Sequence, residues 1–343
     1  MPARRLPAEW ETQSGIMLTW PHSHTDWNPI LTNVEPVFVS ICAHTSQHEK
    51  VLIVARDTEH KAHIQKCLST TRVDYTNIKF GLADSNDSWA RDHGAISVMD
   101  NEQPVLLDFN FNAWGGKYEY HLDNEINEKL QQQNLFHAPL QSIDFVLEGG
   151  SIESNGEGTL LTNQCLLSCS RNPGLDKAAI ESTLKATLGI QEILWLKSGE
   201  LIGDDTDAHI DTLARFVNAN KIAYVGCDDK TDAHYQALHN MEQELKNLNN
   251  RKNEPYELIP LPLPDPIHNK EGQRLPATYA NFLIINDAVL LPVYNQEKDY
   301  LAYTVLQKCF PGREIITINC LPLIHQYGSL HCVTMQFPKG ILL

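Results

Sequence analysis

The densest run of chemistry-bearing residues is GDDTDAHIDTLARF at 203–216. In an extended chain, alternation puts Asp207, His209 and Asp211 on one face, a base flanked by carboxylates. Buried together, such groups are costly without a purpose, and the adjoining TLARF leads them straight into a core-like segment. The bland alternative is an exposed acidic loop with a satisfied histidine. Cys332 sits in GSLHCVTMQF, after a glycine-containing turn and at the start of an apolar strand, where a side chain can be presented at a mouth. Most cysteines are small buried hydrophobes instead. Glu148 in LEGGS and Asp92 in WARDHG share a pattern, an acid followed closely by glycine, and glycine lets backbone approach a ligand. Trp89 and Trp114 either wall a pocket for a cation or fill core.

Groups this polar can meet only if regular elements bring them together. Apolar runs read as strands at 15–20, 51–55, 95–99, 104–109, 192–196, 221–226, 281–286, 288–293, 314–318 and 332–337. Amphipathic helices are expected at 34–47, 58–69, 122–133, 176–188, 231–248 and 298–309. This interleaving belongs to an α/β or α+β protein. Asn172-Pro173-Gly174 and PLPLPDP at 260–266 are loop signals, too short or too apolar for an interdomain linker, so one domain over 1–343 is expected. An internal offset of 122 lays LKATLGIQEILWL (184–196) on LQKCFPGREIITI (306–318), and HIDTL (209–213) on HCVTM (331–335). FVLEGGSI (145–152) and WARDHGAISV (89–98) are weaker copies. Such a repeat builds a ring of similar units, each pointing a polar strand end at a common centre. It pairs His209 with His331, so Cys332 faces the other way unless a bulge or slip intervenes.

Bulk properties narrow the chemistry. The 343 residues, 42% hydrophobic and 20% charged, allow a sizeable core without disulfides or metals. Lys plus Arg number 27 against 43 Asp plus Glu, a net charge of -16, which repels phosphate backbones and makes nucleic acid an unexpected partner. A cationic ligand suits this balance better. The eight cysteines form no CxxC pair, and Cys165 and Cys169 read as core. Reduced thiols in the cytoplasm are expected. MPARRLPAEW reads as neither a secretory nor a twin-arginine signal, and no apolar run approaches the ~18 residues of a membrane span. A homo-oligomer is left open. GxxxxGK[ST], GxSxG and HExxH do not occur in the sequence, so nucleotide-loop, serine-hydrolase and zincin readings lack their signatures.

Over nearly its full length, through PAEWETQSGIMLTWP, WARDHGAISV, FNAWGG, LEGGSIESNGEGTLLT, RNPG, GDDTDAHIDTLARF, LPATYANF and GSLHCVTMQFP, the sequence resembles the agmatine deiminase and bacterial-type peptidylarginine deiminase family of the guanidine-modifying (pentein) superfamily. The resemblance implies a five-bladed α/β propeller with pseudo-fivefold symmetry, which fits the repeat. It implies Cys332 as nucleophile, His209 as general acid/base, Asp92 and Asp211 as the grip on a guanidinium, and Glu148 as a further acidic partner near His209 or a substrate nitrogen. Trp89, Trp114, Asp205 and Asn281 follow as substrate-lining residues. The set makes physical sense. A guanidinium stays protonated beyond about pH 12, so it must be accepted as a cation. Two carboxylates make paired, charge-assisted hydrogen bonds to its planar fork and hold its carbon against sulfur. An imidazolium, or the bound cation itself, favours the thiolate. The implied activity is hydrolysis of agmatine to N-carbamoylputrescine and ammonia through a covalent amidino-thioether, a step toward putrescine, with no metal or organic cofactor required.

Departures from close relatives leave recognition of the far end of the substrate open. Asp205 and Ala208 stand where they often carry Glu and Gly, His93 where they carry Thr, and HQYGSLHC where they carry a glycine-rich run. No Arg pair offers itself for a substrate carboxylate, since Arg91 and Arg215 read equally as structural. Arginine or peptidyl arginine is the nearest rival substrate. A metal-dependent hydrolase holding a divalent ion with Asp204, Asp205, Asp207, His209 and Asp211 is the rival of another class, and a non-catalytic binding protein is a third.

Overall fold

In the computed structural model, which describes residues 4–342, the strands form five separate sheets in an α/β arrangement. One unit recurs: an antiparallel strand pair, a helix, then a strand parallel to the second of the pair. In the third sheet Ile152–Ser154 pairs with Thr159–Asn163, and the helix Lys177–Leu188 returns the chain as Glu192–Leu196. The fourth uses Ala214–Asn218, Lys221–Gly226, the helix Tyr235–Lys246 and Glu257–Pro262. The fifth uses Leu283–Ile285, Ala288–Val293, the helix Glu297–Cys309 and Glu314–Asn319. In the second, Ile96–Asp100 and Gln103–Asn110 are followed by the helix Ile126–Gln132 and Leu140–Val146, with Arg4–Arg5 added at the edge. The first joins distant parts of the chain: Met335–Pro338 runs antiparallel to Gln13–Thr19, and Lys50–Ala55 and Ile78–Leu82 follow in parallel. The offset of 122 is therefore structural: 184–196 and 306–318 hold equivalent places in the third and fifth sheets, and 209–213 and 331–335 lead into the fourth and the first.

Side-chain spacing accounts for the elements. The helix Leu31–Thr45 buries Val34, Val37, Phe38, Ile41 and Cys42 along one stripe. Asp57 and Asp176 cap the helices Thr58–Leu68 and Lys177–Leu188 by accepting from the backbone N–H of His60 and Ala179. Gly189, at φ 70, ends the latter in the left-handed region that glycine adopts freely. In Lys50–Ala55, alternation sends Val51, Ile53 and Ala55 to one apolar cluster and Leu52 and Val54 to another. Both faces are covered, which is why the strand reads as an unbroken apolar run.

Several expectations need correction. The stretch 207–211 is not a strand: Asp207 and Ala208 have φ of 67 and 68, and a 3-10 turn, Ile210–Thr212, follows. No alternating face exists there. The strand expected from 332 begins at Met335, leaving Cys332 in a turn, so strand alternation does not set how His331 and Cys332 face. Pro260 and Pro262 lie in a strand rather than a loop, which an edge position tolerates because its outer side needs no N–H. The helix expected at 122–133 is interrupted at Glu125. Cys169 is exposed, not core, whereas Cys165 is buried. Among the described residues no helix is long and apolar enough to cross a membrane.

Candidate active site

A short turn precedes the first strand of each sheet: Ala90–His93, Gly149–Ser151, Ile210–Thr212, and the turns at 279–281 and 330–333. These five turns touch in closed order. Gly150 N–H donates to Asp92 Oδ1 at 3.0 Å. A Cβ on Gly150 would lie 2.6 Å from His209 Nδ1 and 3.3 Å from Asp211 Oδ1. Asn281 Nδ2 donates to the Asp211 carbonyl at 3.3 Å, and Asn281 Oδ1 accepts from His331 N–H at 2.9 Å. Arg91 N–H closes the circuit on the Cys332 carbonyl at 3.1 Å. Asp92, Glu148, His209, Asp211, His331 and Cys332 are all buried in these turns.

Each group has a distinct electrostatic setting. Asp92 accepts from Gly150 and, through Oδ2, from Trp114 Nε1 at 3.0 Å. Trp114 itself sits at φ 56, a strained conformation for a bulky residue that aims its indole at the acid. Burial, Asp211 and Glu148 push the Asp92 carboxyl well above its usual range. Burial opposes charge on Asp211 too, but the hydrogen bond from His331 together with the charges of His331, His209 and Arg215 outweighs it and holds that carboxyl low. Burial pushes His209 down to about 3, leaving a neutral ring whose Nδ1 is 3.6 Å from Asp92 Oδ1. His209 Nε2 and Asp211 Oδ1 are buried with no hydrogen-bond partner, an arrangement that natural cores rarely leave without a reason. Cys332 Sγ lies 3.4 Å from Asn281 Oδ1. Burial, Asp211 and Asp92 push its thiol well above the usual value.

A cavity of about 250 Å³ leads from the surface to Asp92 and Cys332. Trp89, Trp114 and Tyr118 form its walls, and Asp26, Asp87 and Asp205 bring carboxylates to it. Neither Lys nor Arg is among the described residues that line it. A smaller cavity of about 60 Å³, beside Glu9, Arg91 and Glu153, reaches none of Asp92, His209, Asp211 and Cys332.

Residues 5–338 match the family described as Porphyromonas-type peptidyl-arginine deiminase. The chain belongs to that family. An agmatine deiminase of Pseudomonas aeruginosa is 30% identical, the match covering 97% of this chain and 95% of that one. A structure from Porphyromonas gingivalis, described as a "Putative Arginine Deiminase", is 46% identical with a TM-score of 0.92, covering 99% of this chain and all (100%) of that one. A substrate-bound cysteine-to-serine agmatine deiminase of C. jejuni is 39% identical with a TM-score of 0.91, covering 98% and 97%.

Within this member of the peptidyl-arginine deiminase family, the expected residues fall into three places. Asp92, His209, Asp211 and Cys332 converge, while Trp89, Trp114 and Asp205 line the cavity. Asn281 does not line it. It bridges behind the site, donating to Asp211 Oδ2 at 3.2 Å and accepting from the Cys332 backbone N–H at 3.4 Å. Glu148 is fully buried, and its two oxygens accept from Arg171 Nε at 2.8 and 3.0 Å; no hydrogen bond joins it to His209 among the described residues. The acids at 204–211 do not gather as a metal site. Asp204 accepts from Ala208 N–H at 2.7 Å, Asp207 from Arg171 Nη1 at 2.7 Å, and Asp205 from the Tyr118 hydroxyl.

The sequence reading gave no role in the site to Arg171 or His331, and Arg215 is structural, as one of its readings had it. Arg171, visible only as part of RNPG, also donates to the Thr206 carbonyl at 2.9 Å and so fastens Glu148 to the 204–208 loop. His331 lies between Asp211 Oδ2 at 2.7 Å and Glu9 Oε2 at 2.8 Å. Arg215 joins Glu9 to Glu153, each at 2.8 Å. A histidine adjoining a candidate nucleophile was the available signal for His331.

Proposed function

We propose that the chain hydrolyses agmatine to N-carbamoylputrescine and ammonia. The observation that carries this reading is the cluster of Asp92, His209 and Asp211 around Gly150, with Cys332 beside Asp92 in the same cavity, where Asp211 Oδ1 and His209 Nε2 are buried and unpartnered. A guanidinium offers the N–H donors and the positive charge that this cluster lacks. Its arrival offsets the burial and the neighbouring acids that oppose charge on Asp92 and Cys332, so the substrate promotes ionisation of its own nucleophile.

His209, neutral in the free site, takes the thiol proton. The Cys332 sulfur adds to the guanidinium carbon, a C–N bond breaks, and His209 returns the proton to the departing ammonia. His209 then takes a proton from water, whose oxygen adds to the amidino carbon. The C–S bond breaks, and the hydroxyl proton passes to the departing sulfur to restore the Cys332 thiol. His209 gives up the proton it took from water to the released ammonia or to solvent, so the ureido product leaves a site returned to its starting state. Glu148 acts through Arg171 to hold the 204–208 loop, and Asn281 sets Asp211 against Cys332. In the same reading, the five sheets are the blades of an α/β propeller around the ring of turns, forming one catalytic domain that works in the cytoplasm in polyamine biosynthesis.

Asp26, Asp87 and Asp205 favour a distal amine over a carboxylate. The test measures ureido product from agmatine, arginine and a blocked arginine peptide. Agmatine should be preferred over arginine by about tenfold or more in kcat/KM, a difference of about 1.4 kcal/mol. No turnover of agmatine would sink the reading. Cys332→Ala should lower turnover by about 1,000-fold or more while the chain remains folded.

A further inference from the structure

Away from the ring of turns, the helices Leu31–Thr45 and Thr58–Leu68 pack together and bring three different donor chemistries to one point. His63 and Cys67 are one helical turn apart and share a face. Glu35 faces them from the neighbouring helix. His63 Nε2 lies 2.7 Å from Glu35 Oε1 and 3.5 Å from Cys67 Sγ, and the three donor atoms fall within 4.8 Å of one another. We propose that Glu35, His63 and Cys67 bind a divalent cation of the zinc class.

The spacing suits that ion. Tetrahedral zinc with ordinary bond lengths separates a nitrogen from a sulfur by about 3.5 Å and from an oxygen by about 3.3 Å. The nitrogen–sulfur pair already fits, and the nitrogen–oxygen pair must open by roughly half an ångström. One carboxylate and one thiolate neutralise the dication, and the Cys67 thiol releases its proton to solvent as the S–metal bond forms. Trp20 Nε1 donates to Glu35 Oε1 at 3.1 Å, the kind of outer contact that orients a metal-binding carboxylate.

A second, independent feature points to a ligand there. Beside the cluster is a cavity of about 260 Å³ lined by Glu35, His60 and His63. His60 is only 8% exposed. Its Nδ1 accepts from Arg56 N–H at 3.1 Å, so the ring proton sits on Nε2, which is buried without a partner. A metal-bound water or small anion in this cavity would accept that proton. Burial holds His60 down to about 4, so its neutral ring does not repel a cation. Arg56, on the same wall, is held through Nε by Asp57 at 2.8 Å, and its buried, unpartnered Nη1 would donate to the same metal-bound water or anion.

The test titrates the metal-stripped full chain with zinc against a chelating dye, and with cobalt while recording the thiolate-to-metal charge-transfer band. The expected result is about one equivalent bound, with affinity lowered about 100-fold in His63→Ala and in Cys67→Ala and the cobalt band lost in Cys67→Ala. No binding, or binding that survives both substitutions, overturns the proposal. Should either variant fail to fold, alkylation of the unaltered chain mapped by mass spectrometry decides. Zinc should slow labelling of Cys67 and not of the exposed Cys169; equal slowing, or none, overturns the site.

Discussion

Burial, Asp211 and Asp92 together hold Cys332 in its thiol form, so neutral iodoacetamide should label it slowly at neutral pH. A cationic chloroacetamidine carries the charge that reverses the effect, and should react faster by about tenfold or more beyond its advantage on free cysteine. Rates mapped to Cys332 check this, and an unchanged ratio would refute substrate-promoted ionisation. His93 gives a second test. It is buried behind Asp92, both ring nitrogens lack partners, and burial drives it from 6.5 down to about 3. The unfolded chain therefore takes up that proton first as pH falls, and stability is lost from about pH 6.5 downward. Compared with His93→Leu, the wild type should lose about 2 kcal/mol between pH 7 and pH 5 in denaturant titrations. Legibility at this scale followed distance along the chain. Asp92, His209, Asp211 and Cys332 announce themselves within short motifs. His331 finds its partners 120 and 322 residues away, a pairing that no local pattern encodes.

The turn Gly149–Ser151 works by what it omits. A methyl group on Gly150 would lie 2.6 Å from His209 Nδ1 and 2.9 Å from Asp92 Oδ1. Gly150→Ala should therefore displace the reacting groups and lower kcat by about 100-fold, with an overpacking cost of about 1–3 kcal/mol seen in denaturant melts. A variant with normal turnover would show that the groups need not meet at that point. The strands and helices themselves were legible where one period dominates, as at 177–188 and 192–196. They were obscure where local chemistry competes with the period. Positive φ at Asp207 and Ala208 turns an alternating acidic pattern into a loop, because Asp204 accepts from the backbone of Thr206 and Ala208 instead. Prolines at 260 and 262 disguised an edge strand as a loop.

At the scale of the molecule, each of the five turns depends on the strand that follows it, and the strand behind Cys332 pairs with Gln13–Thr19. Phe337 is fully buried there, with its ring 5.4 Å from Phe136. Phe337→Ala should cost about 3–5 kcal/mol, and activity and tryptophan fluorescence should be lost at the same, lower denaturant concentration. Activity that outlasts the fluorescence change would show that the first sheet does not support Cys332. The offset of 122 exposed the repeated unit, whereas the first sheet hid from the sequence because its strands come from opposite regions of the chain. That sheet also sets the timing of synthesis. A ribosome completes the other four sheets before it releases Met335–Pro338, so Gln13–Thr19 waits with an unpaired edge for most of translation. The partly made protein is thus adhesive along that edge. Met335–Pro338 covers the flank and brings Cys332 to the ring of turns in one late event.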